Sequence, residues 1–124
     1  MQYLLVGGGA FLLSIVFTVF IKRIAWQYKI VDRPTFWRKI HSRPTPLLGG
    51  VAIFFSFLIV SLYSVFFGDH IIGKYIDLKM MIGIWIASGI IILGGVLDDK
   101  KNLDPIKQII WPIITIGAVI YSGI

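Results

Sequence analysis

Two stretches of this chain hold most of the side chains that could do chemistry. One is Asp98-Asp99, the only adjacent acids among six, all of them Asp. The other runs from Val31 to Gly50, where Arg33, Arg38, Lys39, His41 and Arg43 bring up to five positive centres into eleven residues. Arginine grips phosphate oxygens bidentately, whereas lysine acts more as a point charge. Pro34, Pro44 and Pro46 fix φ, remove amide donors and push the residues before them toward extended backbone. The run therefore predicts a stiff elbow ending in Gly49-Gly50, which permit close approach of a ligand or another helix. The acid pair predicts something different. Two neighbouring carboxylates repel each other and oppose the dipole at a helix C-terminus. Such a pair is locally unfavourable unless a cation or a phosphate-transfer role accounts for it.

Plainer readings stand beside each stretch. A basic loop beside a membrane helix is what the positive-inside rule produces, and it attracts anionic lipid. Asp98 and Asp99 could be solvated acids next to Lys100 and Lys101. Asp104-Pro105 reads as a helix N-cap with proline at the first helical position. A calcium loop at Asp98, Asn102 and Asp104 is rejected, because Lys100 sits at the third position and no glycine at the sixth. His41 and His70 form no metal cluster by spacing, and the serines carry no nucleophile motif.

The elements that position these residues are set by composition. Hydrophobic residues make up 57% and charged residues 15%, against about 45–50% and about 25% in soluble domains. That excludes disorder, and the absence of cysteine excludes a disulfide scaffold or thiolate metal site. The expected class is an all-α polytopic membrane protein with four transmembrane helices, near 3–21, 47–67, 80–97 and 106–124. Lys and Arg concentrate in loops 22–46 and 98–105 and are sparse in 68–79. The first two loops are therefore expected in the cytoplasm, with the N-terminus and the 68–79 loop outside.

The first helix is expected to remain uncleaved, since its positive cluster follows the apolar block. Trp26, Tyr28, Phe36 and Trp37 would anchor the interface. Gly7-Gly8-Gly9 reads as close helix packing, not as a dinucleotide fingerprint. The chain stops at Ile124 in an apolar block, which suggests part of a longer polytopic protein. The formal net charge of +6 is assigned to the membrane face, and no nucleic-acid partner is expected. A homodimer is compatible with such a bundle but nothing specifies it.

Both informative loops are thus expected on one side of the bilayer. Together they could hold a phosphorylated lipid, a pyrophosphate and Mg²⁺, a setting for phosphoryl transfer. At this point the sequence resembles the N-terminal part of the polyprenyl-phosphate N-acetylhexosamine-1-phosphate transferases. The residues that carry the resemblance are Val31-Asp32, Pro34, Arg38-Lys39, His41, Pro44, Pro46 and Gly49-Gly50, then Asp98-Asp99, Leu103, Pro105 and Lys107. The Pro-Thr-Pro-x-x-Gly-Gly pattern points to the GlcNAc-1-phosphate branch more than to the muramoyl one.

The resemblance implies transfer of a sugar 1-phosphate from a UDP-N-acetylhexosamine to a polyprenyl phosphate, releasing UMP, at a bacterial plasma membrane. It implies Asp98 as the group activating the lipid phosphate, whose second pKa is about 6. It implies Asp99 as an assistant or a Mg²⁺ organiser, with the main metal ligand elsewhere in the family's longer chain. Lys39, His41, Arg43, Gly49 and Gly50 become the expected phosphate contacts. Family members have further helices and cytoplasmic motifs, so this polypeptide alone is expected to be inactive. The competing readings are a small membrane scaffold or anchor and, less well supported, a channel or transporter fragment.

Overall fold

The computed structural model describes residues 2–32, 44–67 and 77–124. They form four helices, α1 (Gln2–Gln27), α2 (Gly49–Phe67), α3 (Leu78–Lys101) and α4 (Pro105–Tyr121), and a minimal strand pair, β1 (Val31–Asp32) with β2 (Thr45–Pro46). Three helices are long and apolar enough to cross a membrane, so the chain is an all-α polytopic membrane protein. The fourth, α4, has 17 residues and rises about 25 Å. That is somewhat short of a hydrocarbon core of about 30 Å.

Helix ends depart from the sequence expectation where apolar content stops but backbone bonding does not. α1 runs on to Gln27, carrying Lys22 and Arg23 as helical residues. The turn that closes it has Lys29 in the left-handed region, with a φ of 58°. The Ile30 N–H reaches the Ala25 carbonyl at 2.8 Å and the Lys29 N–H reaches that of Trp26 at 3.2 Å. This is the paired closing pattern usually made by glycine. α3 likewise continues through Lys101. Asp98 and Asp99 are therefore residues of its last turn, not of a loop that follows it.

The hairpin after α1 turns the chain back on itself. Val31 pairs with Pro46 and Asp32 with Thr45, antiparallel. Proline is tolerated in so short an edge pairing because it needs to donate nothing. α1 and α2 then pack side by side. Ala25 and Ala52 are fully buried, Ile21 and Leu48 nearly so, and Phe17, Ile24, Ile30, Val51 and Val96 close around them. Small side chains at the seam let the two backbones approach. The Phe17 and Phe55 rings stack with centroids 5.9 Å apart.

α3 and α4 pack by a different device. Trp111 of α4 lies directly on Gly94, and Ser122 lies on Gly83, in space that a Cβ would fill. Between α2 and α3 the Trp85 indole N–H donates to the Ser61 hydroxyl at 2.9 Å. Hydroxyls within the apolar helices donate to the preceding turn, as Ser56 to Ala52 and Ser64 to Val60, each at 2.8 Å. Most large apolar side chains point outward, Leu4 and Phe11 among them, as a bilayer requires.

One expected packing contact is not made among the described residues. Gly7, Gly8 and Gly9 have nothing within reach of an added Cβ, so no described helix lies close against them.

Candidate active site at one end of the bundle

The residue before α2 builds the junction. Leu48 has a φ of 70°, a left-handed conformation that a branched aliphatic side chain adopts only when held there. Three contacts hold it. Its side chain is buried in the α1–α2 core. Its carbonyl accepts the Val51 N–H at 3.1 Å. Its own N–H donates to Asp99 Oδ2 on α3 at 2.8 Å. The last contact spans 51 residues of sequence and ties the end of the proline-framed elbow to the acid pair.

Gly50 belongs to the same junction. A Cβ there would sit 3.3 Å from Ile92 Cδ1 of α3, whereas Gly49 faces open space. Of the two expected permissive glycines, one serves helix packing and the other leaves a gap over the start of α2.

Asp98 faces another way. Successive residues on a helix point about 100° apart, so adjacent acids do not share a direction. Asp98 Oδ1 accepts the Leu103 N–H at 2.9 Å and the Gln108 side-chain amide at 2.9 Å. Gln108 also donates to the Leu103 carbonyl at 3.0 Å. Asn102 caps α3 in the left-handed region, its N–H on the Asp98 carbonyl at 2.7 Å. Asparagine adopts that conformation more readily than most residues. Asp98 thus folds the α3–α4 turn around itself. Gln108 was missed by sequence reasoning, which looked only for charged partners.

These contacts account for the pair where charge alone argues against it. Each carboxylate receives at least one N–H, and Lys100 and Lys101 fill the same last turn. The other oxygen of each, Oδ2 of Asp98 and Oδ1 of Asp99, takes no hydrogen bond among the described residues. Both side chains are half-buried.

Asp104 is the N-cap of α4, with Pro105 behind it, as expected. Its carboxylate makes no cap bond and instead pairs with Lys107 at 3.2 Å, largely exposed. Lys39, His41 and Arg43 lie outside the described residues, as does His70. Among the described residues no three metal-ligating side chains gather. Asp98 Oδ2 and Asp99 Oδ1, which take no hydrogen bond among the described residues, are the carboxylate oxygens here that could hold a Mg²⁺ ion. That ion is bound through one or two carboxylates, with waters and substrate phosphates completing its shell. A cleft of about 420 Å³ lies elsewhere, between α1 and α2 and lined by Gly7, Ser14, Phe57 and Ser64 among others.

This junction can be set beside known proteins. A probable undecaprenyl-phosphate N-acetylglucosaminyl 1-phosphate transferase of Bacillus subtilis (strain 168) is 36% identical over 98 residues, covering 76% of this chain and 25% of that protein. The chain is similar to the N-terminal part of that protein, which fits an N-terminal fragment of such a transferase. The undecaprenyl-phosphate alpha-N-acetylglucosaminyl 1-phosphate transferases of Salmonella typhi and Salmonella typhimurium are each 24% identical over 113 residues, covering 90% of the chain and 28% of theirs. The chain spans about a quarter of the length of these relatives. No family model and no solved structure matches it.

Proposed function

We propose that this chain forms the acid-bearing N-terminal part of a membrane transferase. The complete enzyme would move GlcNAc 1-phosphate from UDP-GlcNAc to undecaprenyl phosphate, releasing UMP, at the cytoplasmic face of a bacterial plasma membrane. The observation that carries this reading is the Leu48 N–H to Asp99 bond at 2.8 Å. It joins the elbow that leads to the cationic run and the twin acids at one end of the helix bundle. The matching relatives, named for this reaction, supply the substrate class.

In this reading a phosphate oxygen of the lipid attacks the sugar-bearing phosphorus of the nucleotide sugar. The bond from that phosphorus to the bridging oxygen breaks, and UMP leaves with the electron pair. Little covalent chemistry falls to the protein, so positioning and charge neutralisation dominate. Asp98, pinned through Oδ1, offers Oδ2 to take or bias the proton of the lipid phosphate. Asp99, pinned through Oδ2, offers Oδ1 to Mg²⁺, which when bound would neutralise phosphate charge. The open space over Gly49 leaves the first amides of α2 approachable by phosphate oxygens. Lys39, His41 and Arg43 serve as the phosphate-gripping cations.

The test is a chimera in which this chain replaces the matching quarter of the Bacillus subtilis relative. UMP release from UDP-GlcNAc and undecaprenyl phosphate is expected from the chimera and not from the 124-residue chain alone. A chimera that inserts and folds yet stays silent would count against the reading, as would unchanged turnover after Asp98→Asn and Asp99→Asn. A silent chimera would favour a non-catalytic membrane scaffold, and unchanged turnover would remove the acids from the chemistry.

A further inference from the structure

A second polar feature lies in the groove between α3 and α4, on the other side of Trp111. Leu97 and Lys101 of α3, Leu103 of the turn, and Lys107, Ile110 and Trp111 of α4 line a cleft of about 220 Å³. The cleft facing the acid pair, of about 170 Å³, contains Asp98 and Gln108 and shares only Trp111 with it. The tryptophan, seated on Gly94, stands between a cationic cleft and an acidic one.

The cationic cleft pairs two lysines with four apolar side chains where α3 turns into α4. We propose that it is a docking site for an anionic glycerophospholipid of the cytoplasmic leaflet. The phosphate would lie between Lys101 and Lys107, and the first chain carbons against Leu97, Ile110 and Trp111. Charge complementarity selects the head group, and lysine stems that lie along apolar surface suit this depth. The volume is below the roughly 300–1,000 Å³ of sites enclosing drug-sized ligands, which fits a head group and not a nucleotide sugar. Neither Asp98 nor Asp99 lines the cleft, so a lipid there is held and does not react. Lys107 is already 3.2 Å from Asp104, but that pair is largely exposed, and exposed pairs exchange partners readily. The inference does not depend on the transferase reading.

The whole chain, reconstituted in bilayers, can be photocrosslinked with a phosphatidylglycerol that carries its reactive group near the phosphate. Adducts are then mapped to residues 97–111 by peptide mass spectrometry. Each surface lysine contributes on the order of fivefold to anionic lipid binding. Phosphatidylglycerol is therefore expected to label this stretch at least about fivefold more than an equivalent phosphatidylcholine probe. Lys101→Gln with Lys107→Gln should remove the preference. Lys101→Arg with Lys107→Arg should keep it, and so should Lys100→Gln, which alters a neighbouring lysine outside the cleft. Equal labelling by the two lipids overturns the proposal, as does equal loss with Lys100→Gln. Inorganic phosphate that abolishes labelling at millimolar levels would make this a soluble-anion site instead. Undecaprenyl phosphate that displaces the probe at equimolar amounts would make it a substrate subsite and defeat the held-lipid assignment.

Discussion

The two helix pairs of this chain end at the same face but are closed by different means. α1 and α2 are joined by backbone. Left-handed Lys29, a two-rung strand pair and a seam of Ala25 against Ala52 bring them together. α3 and α4 are joined by side chains. Asp98 gathers Leu103 and Gln108, and bulky Trp111 fills the space left by Gly94. The difference teaches where acids can be placed without folding cost. In the first pair alanine contacts fix the geometry and charge is absent from the seam. In the second the carboxylate is itself a structural part, and its neighbour Asp99 ties the two pairs together through Leu48.

The comparison can be broken most severely at Gly94. Gly94→Leu forces a branched side chain into the space of Trp111, and overpacking of this kind costs about 1–3 kcal/mol or more. Unfolding in mixed detergent should show that loss. Gly7→Leu, placed in open space, should show none, and equal effects would mean that the α3–α4 seam is not packed as described.

Next in size is Asp99→Ala, which strands the half-buried Leu48 N–H at a cost of about 1–3 kcal/mol. Amide exchange at Leu48 should accelerate. Asp99→Asn retains an acceptor oxygen and should restore most of the protection while removing the charge. If Asn and Ala behave alike, the charge matters to the fold and not the hydrogen bond.

Gln108→Leu sharpens the contrast between the two acids. It removes one of two donors to Asp98, expected to cost about 1 kcal/mol, and should loosen the α3–α4 turn without affecting exchange at Leu48. Smallest is the Asp104–Lys107 pair. A double-mutant cycle should return about 0–1 kcal/mol, falling with salt, because both side chains are largely in water.

Much of this architecture was legible in the order of residues. Long uncharged blocks fix membrane helices because unpaired backbone cannot be left in hydrocarbon. Asp104-Pro105 announces a helix start, and prolines announce the extended rung at Thr45–Pro46. The helix ends were not legible, because Asp98 to Lys101 are polar yet remain helical through backbone bonds that hydropathy does not register. Gln108 was invisible for a related reason. An uncharged amide stands out only when a carboxylate is seen beside it.

The sequence by itself determined the class of the molecule, the number of apolar helices and the two chemically distinctive stretches, since these follow from local composition and backbone solvation. Only the tertiary structure decided that adjacent acids have separate partners, because direction around a helix and contacts across 51 residues are properties of packing. It also decided that Leu48, a residue with no chemistry of its own, is the hinge point at which the elbow and the acid pair meet.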